Sequence, residues 1–138
     1  MALKFSHVAL SCKDQETTER FYSTYFGYRR ARVVKLGDGH IVFLKRSDDA
    51  YLELFAAEGV RDGSTPVADG PHGQGFRHIA FQTDDVDAKL ASMGDDAHIT
   101  LGPLDFSAFI PGWRTAWVSD PDGNIVEISQ GFTDEEQN

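Results

Sequence analysis

The segment FSHVAL at residues 5–10 returns in altered form as FRHIAF at residues 76–81, and each copy places one histidine among apolar residues. Farther along, each copy is followed by an apolar strand pattern that contains one glutamate, YLELF at residues 51–55 and NIVEI at residues 124–128. His78 lies 71 residues after His7, and Glu127 lies 74 residues after Glu53. The two histidines and the two glutamates are separated by nearly the same number of residues, which indicates a duplicated unit.

The pattern of apolar residues predicts the same order of elements in both halves. The first half shows a strand at residues 3–11, a helix that begins after Asp14 and ends at Gly27, and strands at residues 28–36, 40–45 and 51–56. The second half shows a strand at residues 76–82, a helix capped by Asp84 or Asp85 and ended by Gly94, a short strand at residues 99–101, and strands at residues 113–119 and 124–129.

Residues 58–75, between these two halves, contain five glycines and two prolines with little apolar content, which predicts a linker. The sequence therefore predicts an α+β fold of two tandem β-α-β-β-β units, at residues 3–57 and 76–130. A chain of 138 residues is long enough for one such domain to bury its own core.

Composition excludes several classes of partner. The chain has 13 Lys and Arg against 22 Asp and Glu, a net charge of −9, which argues against binding to a nucleic-acid backbone. No apolar run approaches the ~18 residues that a membrane span needs, so we expect no membrane partner. Cys12 is the single cysteine, which excludes an intrachain disulfide. The N-terminus shows no apolar leader, and we expect a cytoplasmic location.

The two histidines and two glutamates of the repeat, His7, Glu53, His78 and Glu127, are candidate metal ligands. Taken alone, each could be a core histidine or a glutamate on a solvated face. A carboxylate flanked by apolar strand residues is costly to bury unless a cation compensates it, and the repeat brings two such carboxylates. Imidazole and carboxylate together suit a divalent ion such as Zn, Ni, Co, Mn or Fe, and we expect no other cofactor.

Several short motifs also resemble those of a known superfamily. They are SHVAL at residues 6–10, Phe21-Tyr22 ahead of Phe26-Gly27, LEL at residues 52–54, RHIAF at residues 77–81, and DPDGN at residues 120–124 leading to Glu127. With this combination the chain resembles the vicinal oxygen chelate superfamily over about residues 3–130. That superfamily includes glyoxalase I, methylmalonyl-CoA epimerase, fosfomycin-resistance proteins and extradiol dioxygenases.

The resemblance implies a single glyoxalase-like domain over residues 1–138, with the metal inside a curved, U-shaped sheet. Because Glu53 stands where glyoxalase I and the epimerases add a fourth ligand, the ligand pattern is most similar to bacterial glyoxalase I. This implies a homodimeric, metal-dependent lyase or isomerase that acts on a small oxygenated substrate by proton transfer. Both glutamates are candidate catalytic residues; we favour Glu127 as the base and keep Glu53 as the alternative.

Two positions depart from the glyoxalase I pattern. Ser11 and Ala57 stand where that enzyme carries an Arg and an Asn, so its glutathione anchors are missing. Two alternatives therefore stay open, an extradiol-type ring-cleaving dioxygenase and a metal-free, drug-binding resistance protein. Trp113, Arg114 and Trp117 are expected either at the cavity or in ordinary packing. The remaining histidines fit no repeat position and are expected at the surface; they are His40, His72 and His98.

Overall fold

Two four-stranded sheets, one in each half of the chain, organise the computed structural model, which describes residues 2–61 and 65–136. The chain divides into two compact units, Met1–Gly63 and Ser64–Asn138. The first unit consists of β1 (His7–Cys12), α1 (Gln15–Tyr25), β2 (Arg29–Leu36), β3 (Gly39–Lys45) and β4 (Tyr51–Ala56). The second consists of β5 (Ile79–Gln82), α2 (Val86–Met93) with a 3-10 turn at Gly94–Asp96, β6 (Ile99–Asp105), β7 (Arg114–Ser119) and β8 (Ile125–Gln130).

The two sheets have the same topology. Their strand orders are β1-β4-β3-β2 and β5-β8-β7-β6, so corresponding strands occupy corresponding places. In each sheet the first strand runs parallel to the last, β1 beside β4 and β5 beside β8, and the other pairs are antiparallel. The predicted α+β fold of tandem β-α-β-β-β units is confirmed.

The core of the first unit lies on one face of its sheet. Alternate residues of β4, Leu52 and Leu54, are fully buried together with Leu44 of the neighbouring β3. Helix α1 packs on β4 and buries Phe21 and Tyr22. Since side chains alternate between the faces of a strand, the residues between Leu52 and Leu54 and on either side of Leu44 point away from this helix. Glu53 is therefore directed to the opposite face.

Three predicted strand boundaries are wrong by three residues or more, and the others agree with the structure to within one residue. β1 begins at His7 rather than at residue 3, because its pairing with β4 begins with His7 opposite Tyr51, and Phe5 is 71% exposed. β5 begins at Ile79 rather than at residue 76, since its first partner on β8 is Val126. β6 continues to Asp105 instead of ending at residue 101.

The error in β6 has a clear physical reason. A Gly-Pro pair usually ends a strand, because proline cannot donate to the ladder. Here Gly102 and Pro103 lie within an end strand, where the pairing with β7 shifts register between Leu101 and Leu104. Such a bulge absorbs the extra residue and the missing N–H, so the strand resumes beyond it.

The helix starts agree with the sequence prediction. Asp14 caps α1 by accepting a hydrogen bond from the backbone N–H of Glu16, and Asp85 caps α2 by accepting from that of Ala88. In the described part of the chain, neither helix is long and apolar enough to cross a membrane.

Candidate functional site

The second unit holds one histidine and one glutamate of the predicted ligand set close together. His78 directly precedes β5, and Glu127 lies in β8 opposite Ala80. His78 Nε2 is 3.2 Å from Glu127 Oε1, and the two side chains are 21% and 19% exposed. The strand pairing thus places an imidazole and a carboxylate side by side, largely withdrawn from solvent.

A backbone carbonyl decides which nitrogen of His78 carries a proton. His78 Nδ1 lies 2.7 Å from the carbonyl oxygen of Asp69. A carbonyl can only accept, so Nδ1 is the donor, and a neutral imidazole then leaves Nε2 as an acceptor. That acceptor faces another acceptor, the carboxylate of Glu127. Two acceptors at this distance repel each other unless a cation or a second proton lies between them.

The distance fits a shared metal ion. With metal–ligand bonds of about 2.1 Å, two ligand atoms lie roughly 3.0 Å apart at a right angle and roughly 3.4 Å apart at a tetrahedral angle. The 3.2 Å between His78 Nε2 and Glu127 Oε1 falls within this interval. The carbonyl on Nδ1 also matches the usual outer support of a metal-binding histidine, which orients the ring and fixes its tautomer.

The Asp69 carbonyl is positioned by a tight turn at residues 67–70. Gly70 N–H donates to the carbonyl of Val67, and Thr100 of β6 donates its hydroxyl to the carbonyl of Ala68 at 2.6 Å. Gly70 has φ +110°, and a Cβ there would lie only 1.9 Å from the backbone oxygen of Arg77. Glycine at this position therefore allows the turn to approach the residue just before His78.

The side chain of Asp69 adds a second restraint to this turn. His72 Nε2 lies 2.8 Å from Asp69 Oδ1, and Arg77 Nε lies 3.9 Å from Oδ2. The hydrogen bond from His72, with the nearby Arg77 charge, lowers the pKa of the Asp69 carboxyl below its usual value. The carboxylate thus stays ionised and keeps both partners near neutral pH.

The first unit holds the other histidine and glutamate in a looser arrangement. His7 Nε2 is 3.8 Å from Glu53 Oε1, and the side chains are 35% and 15% exposed. The hydroxyl of Ser6 lies 2.7 Å from His7 Nδ1. A hydroxyl can donate or accept, so Ser6 does not select one tautomer as the Asp69 carbonyl does.

The two pairs are built in the same way. Glu53 is the register partner of Ala9, two residues after His7, just as Glu127 is the partner of Ala80, two residues after His78. On its other side each glutamate faces an aromatic residue, and that ring meets the histidine edge to face. The aromatic residue is Phe43 in the first unit, 6.1 Å from the His7 ring, and Trp117 in the second, 6.2 Å from the His78 ring.

The predicted ligands therefore come as two pairs. Within either unit, the described residues include no group of three or more His, Cys, Asp or Glu side chains arranged to hold a metal ion. Each unit thus supplies two of the four predicted ligands.

Sequence reasoning missed the Asp69 carbonyl and the Thr100 hydroxyl, because a main-chain acceptor and a single threonine carry no motif. The only hint was Gly70, in a segment interpreted as a linker.

The remaining candidate residues, those outside the predicted ligand set, differ in their surroundings. Trp113 donates its indole N–H to the hydroxyl of Ser129 at 3.3 Å, and Arg114 forms two hydrogen bonds with Asp87, so both serve the packing of the second unit. Trp117 lies beside the His78–Glu127 pair. The remaining histidines are exposed, as expected; they are His40, His72 and His98.

A separate polar cavity of about 330 Å³ lies beside the start of α1 and is lined by none of the four predicted ligands. Three of its charged groups serve the fold: Asp14 caps the helix, and Glu19 forms two hydrogen bonds with Arg30. We assign no function to this cavity.

Comparison with known proteins shows a superfamily relationship. Residues 6–102 match the sequence profile described as the Glyoxalase/Bleomycin resistance protein/Dioxygenase superfamily. The match includes His7, Glu53 and His78 and ends before Glu127. No curated protein matches the chain.

Solved structures share the fold at low sequence identity. The antibiotic binding protein TnmS3 from Streptomyces sp. CB03234 is 23% identical with a TM-score of 0.67, covering 96% of this chain and 99% of that one. A glyoxalase family protein from Enterococcus faecalis is 23% identical with a TM-score of 0.69, covering 91% and 96%. A mutant of the fosfomycin resistance protein FosX from Listeria monocytogenes, complexed with Mn(II) and 1S,2S-dihydroxypropylphosphonic acid, is 16% identical with a TM-score of 0.72, covering 96% and 95%.

The supporting turn can be tested without altering any predicted ligand. Thr100→Val keeps the shape of the side chain and removes the hydroxyl that holds the Ala68 carbonyl. We expect the Asp69 carbonyl to loosen, so that His78 spends more time with the proton on Nε2, and zinc affinity to fall by up to about tenfold. Nitrogen-15 NMR of the histidine rings and calorimetric zinc titration measure both effects.

Thr100→Ser is the matched control, because it retains the hydroxyl. A Thr100→Val protein whose His78 signals and zinc affinity equal those of Thr100→Ser would show that the turn does not orient the imidazole.

Proposed function

Because the chain belongs to the Glyoxalase/Bleomycin resistance protein/Dioxygenase superfamily, we propose that it is a metal-dependent lyase or isomerase of the glyoxalase I type, acting on a small oxygenated substrate. The observation that carries the proposal is the His78–Glu127 pair. Its two facing acceptor atoms are 3.2 Å apart, and the tautomer of His78 is set by a carbonyl on the far side of the ring. A cation between them relieves their repulsion and uses both lone pairs.

The proposed ligand set joins both pairs in one site, His7 and Glu53 with His78 and Glu127. The support is that the two pairs are built alike. Each pair has the same strand register, the same two ligand types and an aromatic neighbour, as expected if each unit contributes half of one site. Zn, Ni, Co, Mn and Fe all accept two imidazoles and two carboxylates. The Mn(II) complex of the structurally similar FosX supports a metal role for this fold.

A bound divalent ion would act as a Lewis acid on a carbonyl or hydroxyl oxygen of the substrate, making the neighbouring C–H more acidic. The carboxylate of Glu127 would take that proton as general base and return it to the adjacent carbon. His78, oriented by its hydrogen bond to the Asp69 carbonyl, would help to hold the reacting oxygens close to the Glu127 carboxylate. Glu53, in the looser pair, is the alternative base.

We further propose a homodimer. β1 and β5 are the end strands of their sheets in the described residues, and exposed apolar side chains, Phe5 and Phe76, precede them. Such edges and apolar residues favour pairing with another chain. Light scattering of the purified protein should give the mass of two chains, and a stable single-chain mass would contradict the proposal. The cytoplasmic location expected from the sequence remains a prediction.

A second candidate function is metal-free binding of an antibiotic or similar molecule. Its support is the full-length structural similarity to TnmS3, whose description is that of an antibiotic binding protein. The absence of the glutathione anchors at Ser11 and Ala57 is also compatible with it. The dioxygenase alternative requires bound iron and oxygen uptake in the presence of a catechol. Glu53 argues against it, because this residue stands where glyoxalase I and the epimerases add a fourth ligand.

Metal content separates the first proposal from the binding-protein alternative. Purified protein should contain a divalent metal by elemental analysis, and the metal-stripped protein should regain one ion on titration. His78→Ala should weaken zinc binding at least tenfold, since it removes a ligand, whereas His98→Ala removes an exposed imidazole and should leave binding unchanged. Metal-free protein that binds no divalent ion would contradict the proposed enzyme and favour the binding-protein alternative.

The identity of the base can be tested with paired variants. Glu127→Ala should retain weak metal binding through the three other ligands, but it should lower turnover roughly 10²–10⁴-fold, because the proton acceptor is lost. Glu53→Ala should be less severe if Glu127 is the base. Turnover is measured with the methylglyoxal–glutathione adduct and other α-hydroxycarbonyl compounds, as deuterium uptake from D2O next to the carbonyl. Near-normal exchange by Glu127→Ala would eliminate Glu127 as the base.

A further inference from the structure

A bulge in β2 turns one arginine onto the face of the first sheet that points away from α1. Arg30 pairs with Leu44 of β3 and Arg32 pairs with the next residue, Phe43, so β2 has one extra residue between them. In a regular strand, residues two apart point to the same face, but an extra residue reverses this relation. Because paired residues of neighbouring strands share a face, Arg30 lies on the α1 side with Leu44. Arg32 lies on the opposite face with Phe43.

The contacts of Arg30 agree with this assignment and show what Arg32 lacks. Arg30 forms two hydrogen bonds with Glu19 of α1, so its charge is used within the fold. Arg32 is exposed, and its side chain has no hydrogen bond or ion pair among the described residues. The bulge thus gives two neighbouring arginines different surroundings, and only one of them has a partner in the fold.

The face that carries Arg32 also carries the histidine and glutamate of the first unit. Phe43, the partner of Arg32, is also the partner of Glu53, so these three side chains form one row across β2, β3 and β4. Neighbouring strands are about 4.8 Å apart, which places the backbone of Arg32 roughly 10 Å from that of Glu53. We call the surface that bears His7, Glu53, Phe43 and Arg32 the open face of the first sheet.

A second row on the open face adds positive charge. Arg29 is the partner of Lys45, which in turn is the partner of Tyr51. Lys45 forms an ion pair with Asp49 and lies 5.5 Å from the centre of the Tyr51 ring. The side chain of Arg29, like that of Arg32, has no partner among the described residues. In a chain of net charge −9, two such guanidinium groups on one face provide a local positive potential that attracts an anion.

We propose that Arg32, with Arg29 beside it, binds an oxyanion group of the small molecule that occupies the His7–Glu53 pair. This inference rests on the proposed function, since it requires a ligand at that pair. It names the ligand class, a small oxygenated molecule with a carboxylate or phosphate several atoms away from its reacting oxygens. A guanidinium group suits both anions, because its planar fork donates to two oxygens of one anion and carries a fixed positive charge.

The spacing of the row determines where the anion lies in the ligand. Phe43 stands between Glu53 and Arg32, and its side chain is half-buried, so a ligand crosses this apolar surface before it meets the guanidinium group. A short chain of methylene groups spans this gap and packs on the phenyl ring. An anion directly beside the reacting oxygens would instead lie near the Glu53 carboxylate, which repels it. Arg32 is therefore a specificity-determining residue that selects ligands with a distal anion.

The test uses two six-carbon probes that differ only at the far end, where 2-hydroxyadipate has a carboxylate and 2-hydroxyhexanoate a methyl group. Zinc-loaded protein should bind 2-hydroxyadipate more tightly in calorimetric titrations. Arg32→Gln should reduce this preference roughly three- to tenfold, as expected for one partly solvated ion pair. The melting temperature, zinc affinity and 2-hydroxyhexanoate affinity should stay close to those of the wild type, because Arg32 is exposed and has no partner in the fold.

Arg20→Gln is the matched control, since it removes the same charge from an exposed residue of α1, on the other side of the sheet. It should leave the preference for 2-hydroxyadipate unchanged. Added NaCl should reduce the preference in the wild type and have little effect on Arg32→Gln, because salt screens exposed charges. A second pair of probes, 3-phosphoglycerate and glycerate, distinguishes the two anions: the pair whose preference depends more on Arg32 identifies the anion as phosphate or carboxylate.

The same titrations contain the results that would overturn the inference. If Arg32→Gln and Arg20→Gln keep the preferences of the wild type, or if the wild type shows none, Arg32 binds no ligand anion. It is then a charge that protects the end strand β2 from pairing with other chains. Zinc uptake with either of these results leaves the metal proposal standing, whereas protein that takes up no divalent ion contradicts both proposals.

Discussion

The hydrogen bond from His78 Nδ1 to the carbonyl oxygen of Asp69 is the interaction on which the chemistry of the second unit depends. It commits the proton to one ring nitrogen and turns the other toward Glu127. Without it the imidazole could donate Nε2–H to the carboxylate, and the pair would be an ordinary satisfied hydrogen bond. With it, a neutral imidazole turns a lone pair toward the carboxylate in a partly buried place, an arrangement that a cation or a second proton stabilises.

The turn at residues 67–70 is what makes that hydrogen bond possible. Gly70 permits the close approach to Arg77, and the Thr100 hydroxyl ties the turn to β6. This segment, which is poor in apolar residues, therefore positions the carbonyl that orients His78, although it contains none of the proposed ligands. The carbonyl that holds His78 is a backbone group, and glycine is needed at Gly70 because a Cβ there would collide with the backbone of Arg77.

The duplication explains the common plan of the two pairs, and the differences between them indicate separate tasks. Both units place the glutamate opposite the alanine that follows the histidine by two residues. The first unit supports its histidine with the Ser6 hydroxyl and uses a phenyl ring beside it; the second uses a carbonyl and an indole. One pair is therefore tighter and has an extra donor. Because one fold can host several chemistries, such local groups, rather than the strand topology, decide what the protein binds.

Much of the fold could be predicted from local patterns. Helix caps at Asp14 and Asp85 and the repeated strand patterns depend on residues close in sequence, so the order of elements was predictable. The exact starts of β1 and β5 were not, because a strand begins where its neighbour offers partners, and those partners are more than 40 residues away. The continuation of β6 past Gly102 and Pro103 likewise depends on the bulged pairing with β7.

The sequence by itself determined the duplicated β-α-β-β-β plan, the superfamily, and which two histidines and two glutamates correspond, because periodicity and spacing are properties of the chain. Only the tertiary structure decided which nitrogen of His78 faces Glu127 and which of the two indoles lacks an acceptor among the described residues. Those outcomes depend on a backbone carbonyl, a threonine hydroxyl and a serine hydroxyl that the sheet pairing and a tight turn bring into contact. Contacts of this kind leave no pattern in the sequence, because almost any residue can supply a carbonyl and hydroxyl residues are common everywhere along the chain.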